Sequence, residues 1–472
     1  MASGAETRVR SAEEARWRAR SLWLDGLPET LVPRPPLTGA ESGDVVIVGA
    51  GLSGMWTAYY LKCEQPDLDV IVVEREIAGF GPSGRNGGWV RGGMSGVAKV
   101  YARRSGWDAV KRAERDTVNA VDVIGQVIAK ERIDCGFNKQ GDIAVAENEA
   151  QLKRLHRDLA ERRKLGIEEQ DLRLLSAAEA AELVRVPGCV GALFDAGAAR
   201  VDPAELTRGL AEACERRGVR ICEQTSALEI APGSVRTTRG TVRARNVLRC
   251  TESYTVQLPG SRRTFLPLYS LMIATEPLPQ AVWDELGWRD GLLVKDRRHL
   301  FFYAQRTRDN RIAIGGRGAP YQLGSPLSEE SERHDEVRSR LVATIERCFP
   351  AAAGAAITHH WGGPLGVPRD WCMAVNYDRA TGLGSTGGYS GQGVLAAHVG
   401  GRALAELMLG RDTERTRAPW VGHRSRRWEP EPLRYIASRA IISTLASADH
   451  AEVQSGVEAR RVKLVAPFMP PR

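Results

Sequence analysis

The segment DVVIVGAGLSG, residues 44–54, constrains the fold more strongly than any other part of the chain. An apolar strand pattern runs directly into Gly49, Gly51 and Gly54, the glycine spacing that joins a strand to a helix around a dinucleotide. A helical pattern, MWTAYYL, follows, and VIVVE then provides a second strand that ends in Glu74. The complete pattern predicts a βαβ unit that binds a dinucleotide.

Each glycine of such a unit has its own role. Gly49 permits the tight turn, Gly51 lets a pyrophosphate approach the backbone, and Gly54 lets the helix pack closely on the strand. The helix N-terminus offers N–H groups to the phosphates, and Glu74 can bond both hydroxyls of the adenosine ribose. The alternative is an ordinary glycine turn followed by a solvated glutamate, which the complete βαβ pattern disfavours.

A second glycine-rich segment, GFGPSGRNGGWVRGG, follows the ribose-binding strand at residues 79–93. A nicotinamide dehydrogenase normally continues there with its next helix, whereas a long loop of small residues suits the flat ring of a flavin. The loop therefore favours FAD over NAD and places Ser83, Arg85 and Asn86 as donors near the flavin. The alternative for this segment is a flexible surface loop.

A third glycine loop, GGYSGQGVLAAHVGGRALAELMLG, spans residues 387–410 and leads into an apolar helix. The first amides of that helix would direct a positive dipole at the flavin's pyrimidine edge and stabilise the negative charge that develops on reduction. The alternative is a packed helix behind a glycine turn. The predicted cofactor site comprises Gly49, Gly51, Gly54, Glu74, Arg75, Ser83, Arg85, Asn86, Gly87, Ala227, Gly388, Gly391, Gln392, Gly393 and Val394.

These three segments, in this order, resemble those of the FAD-dependent superfamily of D-amino-acid, glycine and sarcosine oxidases. The stretches SGRNGG, VDPAELTRGL, IATEPLP, RIAIGGR and GYSGQG are most similar to the branch typified by gamma-glutamylputrescine oxidase, and the resemblance covers most of residues 22–410. It implies that FAD binds in a Rossmann-like domain beneath an antiparallel substrate domain. It also implies hydride transfer from a C–N carbon to flavin N5, with O2 reoxidising the flavin and releasing H2O2.

The predicted fold class is α/β, with a Rossmann-like FAD-binding domain interleaved with an antiparallel-sheet α+β substrate domain. Helical spacing at residues 108–131 and 149–165 and β-rich segments after residue 259 support this division, and residues 135–146 are predicted to form a hairpin. The expected parts are an N-terminal arm (1–43), a discontinuous FAD-binding domain (44–100, 190–258 and 356–410), a discontinuous substrate domain (101–189 and 259–355) and a C-terminal helical tail (411–472).

Several residues depart from the pattern of the family that the chain resembles. Leu365 stands where glycine and D-amino-acid oxidases have an arginine that clamps the substrate carboxylate, and Leu395 stands where sarcosine oxidases have a lysine. Glu252 replaces a neutral residue near the expected flavin site, and Gln392 replaces a histidine. The substrate is therefore expected to be an amine whose charged or polar part is bound elsewhere, rather than a simple α-amino acid.

The candidate catalytic residues lie on the predicted substrate-domain strands. Arg317, or alternatively Arg306, could supply a clamp for a charged part of the substrate, although surface arginines are common on strands. Tyr303 and Tyr269 could line the cavity above the reactive face of the flavin, or could be core residues with hydrogen-bonded hydroxyls. Cys372 is a candidate for covalent flavin attachment only because it is near the third loop in sequence.

Composition excludes little but favours a globular cytoplasmic enzyme. The net charge of +8 is spread along the chain, which disfavours nucleic-acid binding, and no apolar run approaches the roughly 20 residues of a membrane span. The eight cysteines form no C-x-x-C pair or ligand group with histidine. His359 and His360 are adjacent on a strand and would point to opposite faces, so we predict no metal site.

The sequence therefore predicts an FAD-dependent amine oxidoreductase with a small-molecule amine as substrate and O2 as electron acceptor. One alternative is a specialised biosynthetic oxidase or dehydrogenase that acts on an unusual C–N or N–N substrate. Another is a flavin-binding protein with little turnover, and a third is an NAD-dependent dehydrogenase. The oligomeric state stays open.

Overall fold

The computed structural model describes residues 12–319, 321–324 and 326–469. The helices are α1 (12–18), α2 (Leu22–Asp25), α3 (Leu52–Glu64), α4 (Ala98–Glu131), α5 (Glu149–Lys164), α6 (Ala177–Ala181), α7 (Pro203–Glu215), α8 (Gln280–Leu286), α9 (Asp335–Cys348), α10 (Gly393–Met408), α11 (Leu433–Ser455) and α12 (Val462–Val465). The strands are β1 (Glu41–Val48), β2 (Val70–Val73), β3 (Trp89–Arg91), β4 (Asp142–Ala146), β5 (Leu172–Leu175), β6 (Gly191–Asp195), β7 (Ala198–Arg200), β8 (Arg220–Cys222), β9 (Ala227–Ala231), β10 (Ser234–Thr237), β11 (Gly240–Arg249), β12 (Leu266–Thr275), β13 (Leu293–Asp296), β14 (Phe302–Arg306), β15 (Ile312–Gly316), β16 (Ile357–Val367), β17 (Ala374–Asp378) and β18 (Leu383–Gly387).

The first sheet contains the predicted βαβ unit. Its main strand order is β17-β18-β11-β1-β2-β8, with the β9–β10 hairpin attached to β11, and β1 pairs in parallel with both β11 and β2. Residues Val45–Val48 are buried, as expected for a central parallel strand covered on both faces. Helices α3, α4, α7 and α10 contribute to one hydrophobic cluster with this sheet.

The second sheet has the order β16-β12-β15-β14-β13-β4-β6-β5. Its neighbouring strands are antiparallel except β13 and β4, which run in parallel. One face of the sheet carries a hydrophobic cluster that includes residues of α9, and the other face lies over the carboxyl ends of β1 and β2 across a cavity. The two sheets together match the predicted α/β class with an antiparallel second layer.

Three elements pack with the other sheet from the one that the predicted domain division implies for them. Strands β6 and β16 fall in segments assigned to the FAD-binding domain, but they pair with β4 and β12 in the second sheet. Most of α4 falls in a segment assigned to the substrate domain, yet its apolar face packs in the cluster of the first sheet. Long-range strand pairing and helix packing decide these memberships, and neither can be read from the local sequence.

The hairpin predicted for residues 135–146 is not formed. Only Asp142–Ala146 is a strand, and both of its neighbours, β6 and β13, come from later in the chain. Asn138 instead makes an isolated backbone bridge to Arg200. The apolar half of this segment is therefore a central strand of the second sheet.

The C-terminal helix α11 is attached to the second sheet by buried polar contacts. Glu452 pairs with Arg154 at 2.7 Å and with His299 at 3.0 Å, and the Asp449 carboxylate accepts the backbone N–H groups of His299 and Leu300 at 2.8 Å each. Although burial opposes it, bonding to His299 and Arg154 lowers the pKa of Glu452 to about 2. Across the described ranges, no helix is both long enough and apolar enough to cross a membrane.

Candidate active site

A cavity of about 1110 Å³ lies between the two sheets. The loops after β1, β2 and β11 form one side, strands of the second sheet form the other, and α11 contributes to its wall. All fifteen predicted cofactor residues except Gly54 and Gly388 line this cavity, together with Tyr303, Tyr269 and Arg317. The structure therefore brings the three glycine segments and the candidate catalytic residues to one place.

The first glycine loop leaves no room for side chains. Gly49 has φ of +105°, and a Cβ atom there would lie 2.9 Å from the carbonyl oxygen of Cys250. A Cβ on Gly51 would lie 2.7 Å from Ser83 Oγ, and one on Gly54 only 1.9 Å from the Gly49 carbonyl oxygen. The bare backbone in front of the N-terminus of α3 fits the diphosphate of a dinucleotide.

Glu74 ends β2 at the same edge of the cavity. Its carboxylate accepts the backbone N–H groups of Ala50 at 2.8 Å and Glu76 at 3.0 Å, which holds it beside the glycine loop. Burial raises the pKa of this carboxyl. Ala227 lines the cavity as well. This arrangement fits the adenosine ribose that the sequence assigns to Glu74.

The second glycine loop uses its polar side chains internally, contrary to the donor role expected for them. The Arg85 guanidinium is buried, pairs with Glu332 at 2.7 Å and donates to Tyr254 Oη at 3.0 Å. The Asn86 amide donates to the carbonyl groups of Pro82 and Ser83. Ser83 Oγ accepts the N–H of Leu52 at 2.9 Å. These side chains shape the loop, because Asn86 bonds within the loop and Ser83 and Arg85 bond to partners distant in sequence.

Glu252 joins the third glycine loop to the second sheet. Its carboxylate accepts the N–H groups of Gly388 and Tyr389, each at 3.2 Å, and that of Gly366 on β16 at 2.8 Å. Burial raises the pKa of Glu252 to about 7, although these three N–H groups oppose the shift. The residue that departs from the family pattern is therefore a bridge between two parts of the cavity wall.

The register of the second sheet determines which side chains face the cavity. Lys295 on β13 is the cross-strand partner of Tyr303 on β14, and Tyr303 is that of Gly315, which in turn opposes Met272. Residues two apart on a strand share a face, so Ser270 lies on the same side as Met272. Tyr303 Oη and Ser270 Oγ are 2.7 Å apart and share a hydrogen bond.

Tyr303 fits between two glycines. A Cβ on Gly315 would lie 2.4 Å from its ring and hydroxyl, and one on Gly87 would lie 2.6 Å from its ring. Burial raises the pKa of the Tyr303 hydroxyl. Tyr269 Oη donates to the carbonyl oxygen of Pro326 at 3.2 Å, and burial raises its pKa to about 12. Both hydroxyls therefore remain protonated and can serve as hydrogen-bond donors.

Arg317 and Arg306, the two alternative clamps, have different surroundings. Arg317 lines the cavity with its guanidinium 4.6 Å from the centre of the Phe301 ring, and burial together with Arg297 lowers its pKa to about 10. Within the described part of the chain, no carboxylate forms an ion pair with Arg317. Arg306 lies over Trp283 and bonds Asn310 away from the cavity. The structure thus leaves Arg317 as the candidate clamp.

A charged cluster on the cavity wall was missed by sequence reasoning. Lys295 and Arg91 both pair with the buried carboxylate of Asp142, and the Lys295 amine lies 5.7 Å from the centre of the Trp89 ring. Burial lowers the pKa of Lys295 to about 8. These residues come from β3, β4 and β13, so no local pattern signals their proximity. The only sequence signal is a charged residue within each apolar strand.

Other residues singled out in the sequence lie away from the cavity. Cys372 is buried, accepts the N–H of Val97 at 3.4 Å, and burial raises its thiol pKa to about 12, so its thiol is not placed for flavin attachment. His359 contacts Asp25, and His360 contacts the backbone of His334. Leu395 packs in the core of the first sheet. Each of the eight cysteines lies within the described ranges and is a free thiol.

The sequence profile of the FAD dependent oxidoreductase family, abbreviated DAO, matches residues 44–407. The chain belongs to this family. It is 31% identical over 391 residues to a probable oxidoreductase, OrdL, of Haemophilus influenzae, with 80% of this chain and 85% of that protein covered. It is 30% identical over 389 residues to gamma-glutamylputrescine oxidoreductase of Escherichia coli, covering 81% and 87%.

The glycine oxidase of Geobacillus kaustophilus has the same fold, with a TM-score of 0.69 and 19% identity over 82% of this chain and all of that chain. The family membership, the fold class and the choice of FAD over NAD are therefore confirmed. The protein is an FAD-dependent oxidoreductase. The glycine cradle and Glu74 fit the nucleotide half of FAD, and the same cavity extends to Tyr303.

Proposed function

We propose that this oxidoreductase oxidises the C–N bond of a small amine that also carries an anionic group, and that O2 is its electron acceptor. The observation that carries the proposal is Arg317, a half-buried cation on the cavity wall with no ion-pair partner among the described residues. An unpaired buried charge is costly, and a bound anion would compensate it. The clamp directly follows β15, whereas Leu365, at the position where the resembling oxidases carry their arginine, lies on β16.

Bound FAD would supply the hydride acceptor, the N5 atom of its ring. The backbone of the first glycine loop and Glu74 would hold the adenosine diphosphate, and the N-terminus of α10 at Gly393 would face the pyrimidine end. Oxidation of the CH–NH unit to C=N releases two electrons and two protons, which together convert one O2 to one H2O2. Water then hydrolyses the released imine to a carbonyl compound and ammonia, or an amine where the nitrogen carries a second substituent.

The protein's own groups would align and deprotonate the substrate. An ammonium has no lone pair, and the apolar surroundings of Met272 and Leu365 favour the neutral amine by desolvation. The Tyr303 hydroxyl, oriented by Ser270, could hydrogen-bond the amine nitrogen. Arg317 would fix the anionic end, so that the C–H bond is held in one orientation.

An anaerobic titration tests this proposal. The purified protein would be mixed with three matched sets, namely amino carboxylates, N-alkyl amino carboxylates and the corresponding amines without a carboxylate. Bleaching of the flavin band near ~450 nm by carboxylate-bearing members alone supports both the chemistry and the clamp. Bleaching by the amines without a carboxylate to the same extent contradicts the clamp, and a band that no member bleaches contradicts the amine chemistry.

The choice of acceptor needs a second measurement on the same sample. Readmitting air after substrate reduction should restore the flavin band and yield one H2O2 per substrate consumed. Slow reoxidation with little peroxide would favour the alternative of a dehydrogenase that passes electrons to another acceptor. We also propose that the enzyme acts in the cytoplasm.

A further inference from the structure

Helix α11 lies outside the segment that matches the family, which ends at residue 407, yet it forms part of the cavity wall. Seven of its residues line the cavity; apart from Leu433, Arg434 and Ser438, they are the apolar residues Ala437, Ile441, Ile442 and Leu445. Their spacing places them along one side of the helix. These four residues are called the α11 wall below.

The position of α11 assigns this wall to the substrate end of the cavity. Asp449 near its C-terminus holds the backbone of Leu300, just before β14, and Trp428 ahead of its N-terminus donates to the carbonyl oxygen of Val367 at the end of β16. Tyr321, shortly after β15, donates to Glu431 at 2.5 Å. The helix therefore crosses the ends of the second sheet's strands, opposite the glycine cradle that fits the nucleotide.

The wall is apolar although the helix carries charges on both sides of it. Arg434 pairs with Glu431 at 2.7 Å, and Glu452 is occupied by Arg154 and His299. Leu445 is only 6% exposed, belongs to neither of the large core clusters of the two sheets, and lines the cavity. Arg434 and Ser438 also line the cavity at the N-terminal part of the helix, whereas the side chains of Ile441, Ile442 and Leu445 offer a ligand hydrocarbon contacts.

We propose that the α11 wall determines substrate specificity by binding an uncharged, apolar portion of the substrate next to its anionic group. Phe301 and Arg317 line the same cavity, and Leu300 is fixed directly to α11, so a ligand held by Arg317 would extend toward the wall. The inference rests on the proposed function for the Arg317 clamp. It predicts discrimination against polyamines, whose second ammonium would lose hydration against the wall without gaining a partner.

The test uses ligands that cannot be oxidised, so that binding is separated from turnover. Straight-chain carboxylates from acetate to octanoate would be titrated into the FAD-loaded protein, with the shift of the flavin absorbance as the readout of binding. Each added methylene that reaches the wall should tighten binding about fourfold. The variant I442N should bind the longer acids at least about tenfold more weakly than wild type does. Its affinity for acetate should stay within about twofold of wild type.

A matched control lies on the same helix. Ile436 is 59% exposed and does not line the cavity, so I436N makes the same chemical change on the outer side of α11. It should leave the whole series unchanged. Because I442N could disturb the helix, I441W provides an independent variant. Its larger side chain should fill part of the cavity, so that the longest acid that still binds is shorter than in wild type. Flavin content and Tm check that each variant is folded.

The outcomes separate this inference from the proposed function. If the affinity of the wild-type protein does not increase with the chain length of the acid, the proposed role of the α11 wall is wrong, even if amines bleach the flavin. Equal effects of I442N and I436N overturn it as well. A chain-length response that I442N removes supports binding of the apolar portion by the α11 wall. This holds even if no amine in the panel is oxidised. In that case only the proposed amine chemistry fails.

Discussion

The two ends of the cavity are built in different ways. The nucleotide end consists of backbone from continuous segments, with Gly49, Gly51 and Gly54 within one strand-turn-helix unit. The substrate end consists of side chains from separate strands, such as Lys295 and Tyr303, and from a helix beyond the family-matched region. The comparison teaches that cofactor binding is encoded locally, whereas substrate selection depends on tertiary assembly.

The first prediction targets the local end, where the effect should be largest. Gly54→Ala would place a methyl group 1.9 Å from the Gly49 carbonyl oxygen, so α3 and β1 must separate. We expect a loss of more than about 4 kcal/mol in unfolding free energy and no retained FAD. Denaturant unfolding and flavin content measure this. Gly393→Ala is the control, because its nearest neighbour would be 3.6 Å away and stability should change by less than about 1 kcal/mol.

Retention of FAD and stability by Gly54→Ala would contradict the view that the nucleotide end depends on close backbone packing.

The second prediction concerns Glu252, which connects the two ends. Its folded pKa of about 7 lies above the ordinary 4.5, so the folded protein binds the proton more tightly than the unfolded chain. The stabilisation is complete below pH 4.5 and is lost as pH rises through 7, by on the order of 3 kcal/mol. Unfolding free energies measured between pH 5 and 8 should therefore fall in wild type.

Glu252→Gln removes one titrating group and should reduce this slope, while Asp202 and Asp296, whose pKa values burial raises to about 8 and about 7, maintain the remainder. A slope that is unchanged in Glu252→Gln would assign the pH dependence to other residues. If the flavin spectrum changes with pH in wild type but not in Glu252→Gln, the charge on Glu252 affects the cofactor.

The third prediction compares two arginines of the substrate end. Arg317→Met should raise KM for a carboxylate-bearing substrate about 100-fold, because it removes a charge-assisted contact to the anionic group. The same change should not lower Tm, since it also removes a half-buried cation that has no ion-pair partner among the described residues. Arg306→Met is the control on the outer side of the sheet, and its KM should stay within about twofold. Equal effects on KM in both variants would refute the clamp.

These differences explain what the sequence could predict. The three glycine loops, Glu74 and the fold class follow from short continuous patterns. The memberships of β6 and β16, the internal role of Arg85 and the Lys295–Asp142 pair depend on partners that are distant in sequence. The choice between Arg306 and Arg317 needed the sheet register, because strand faces alternate and the sequence did not show which face is covered.

The smallest expected effect concerns the hydrogen bond between Ser270 and Tyr303 at the substrate end. Ser270→Ala removes the 2.7 Å hydrogen bond to Tyr303 Oη but leaves the ring held between Gly87 and Gly315. One such bond is worth about 1 kcal/mol, so the rate of flavin reduction by substrate should fall about fivefold. Tyr303→Phe should lower that rate at least as much, and the double variant should match Tyr303→Phe alone, because Ser270 acts through the Tyr303 hydroxyl. Additive losses would mean that Ser270 contacts the substrate itself, and the substrate end would then bind its ligand through more than one strand-borne hydroxyl.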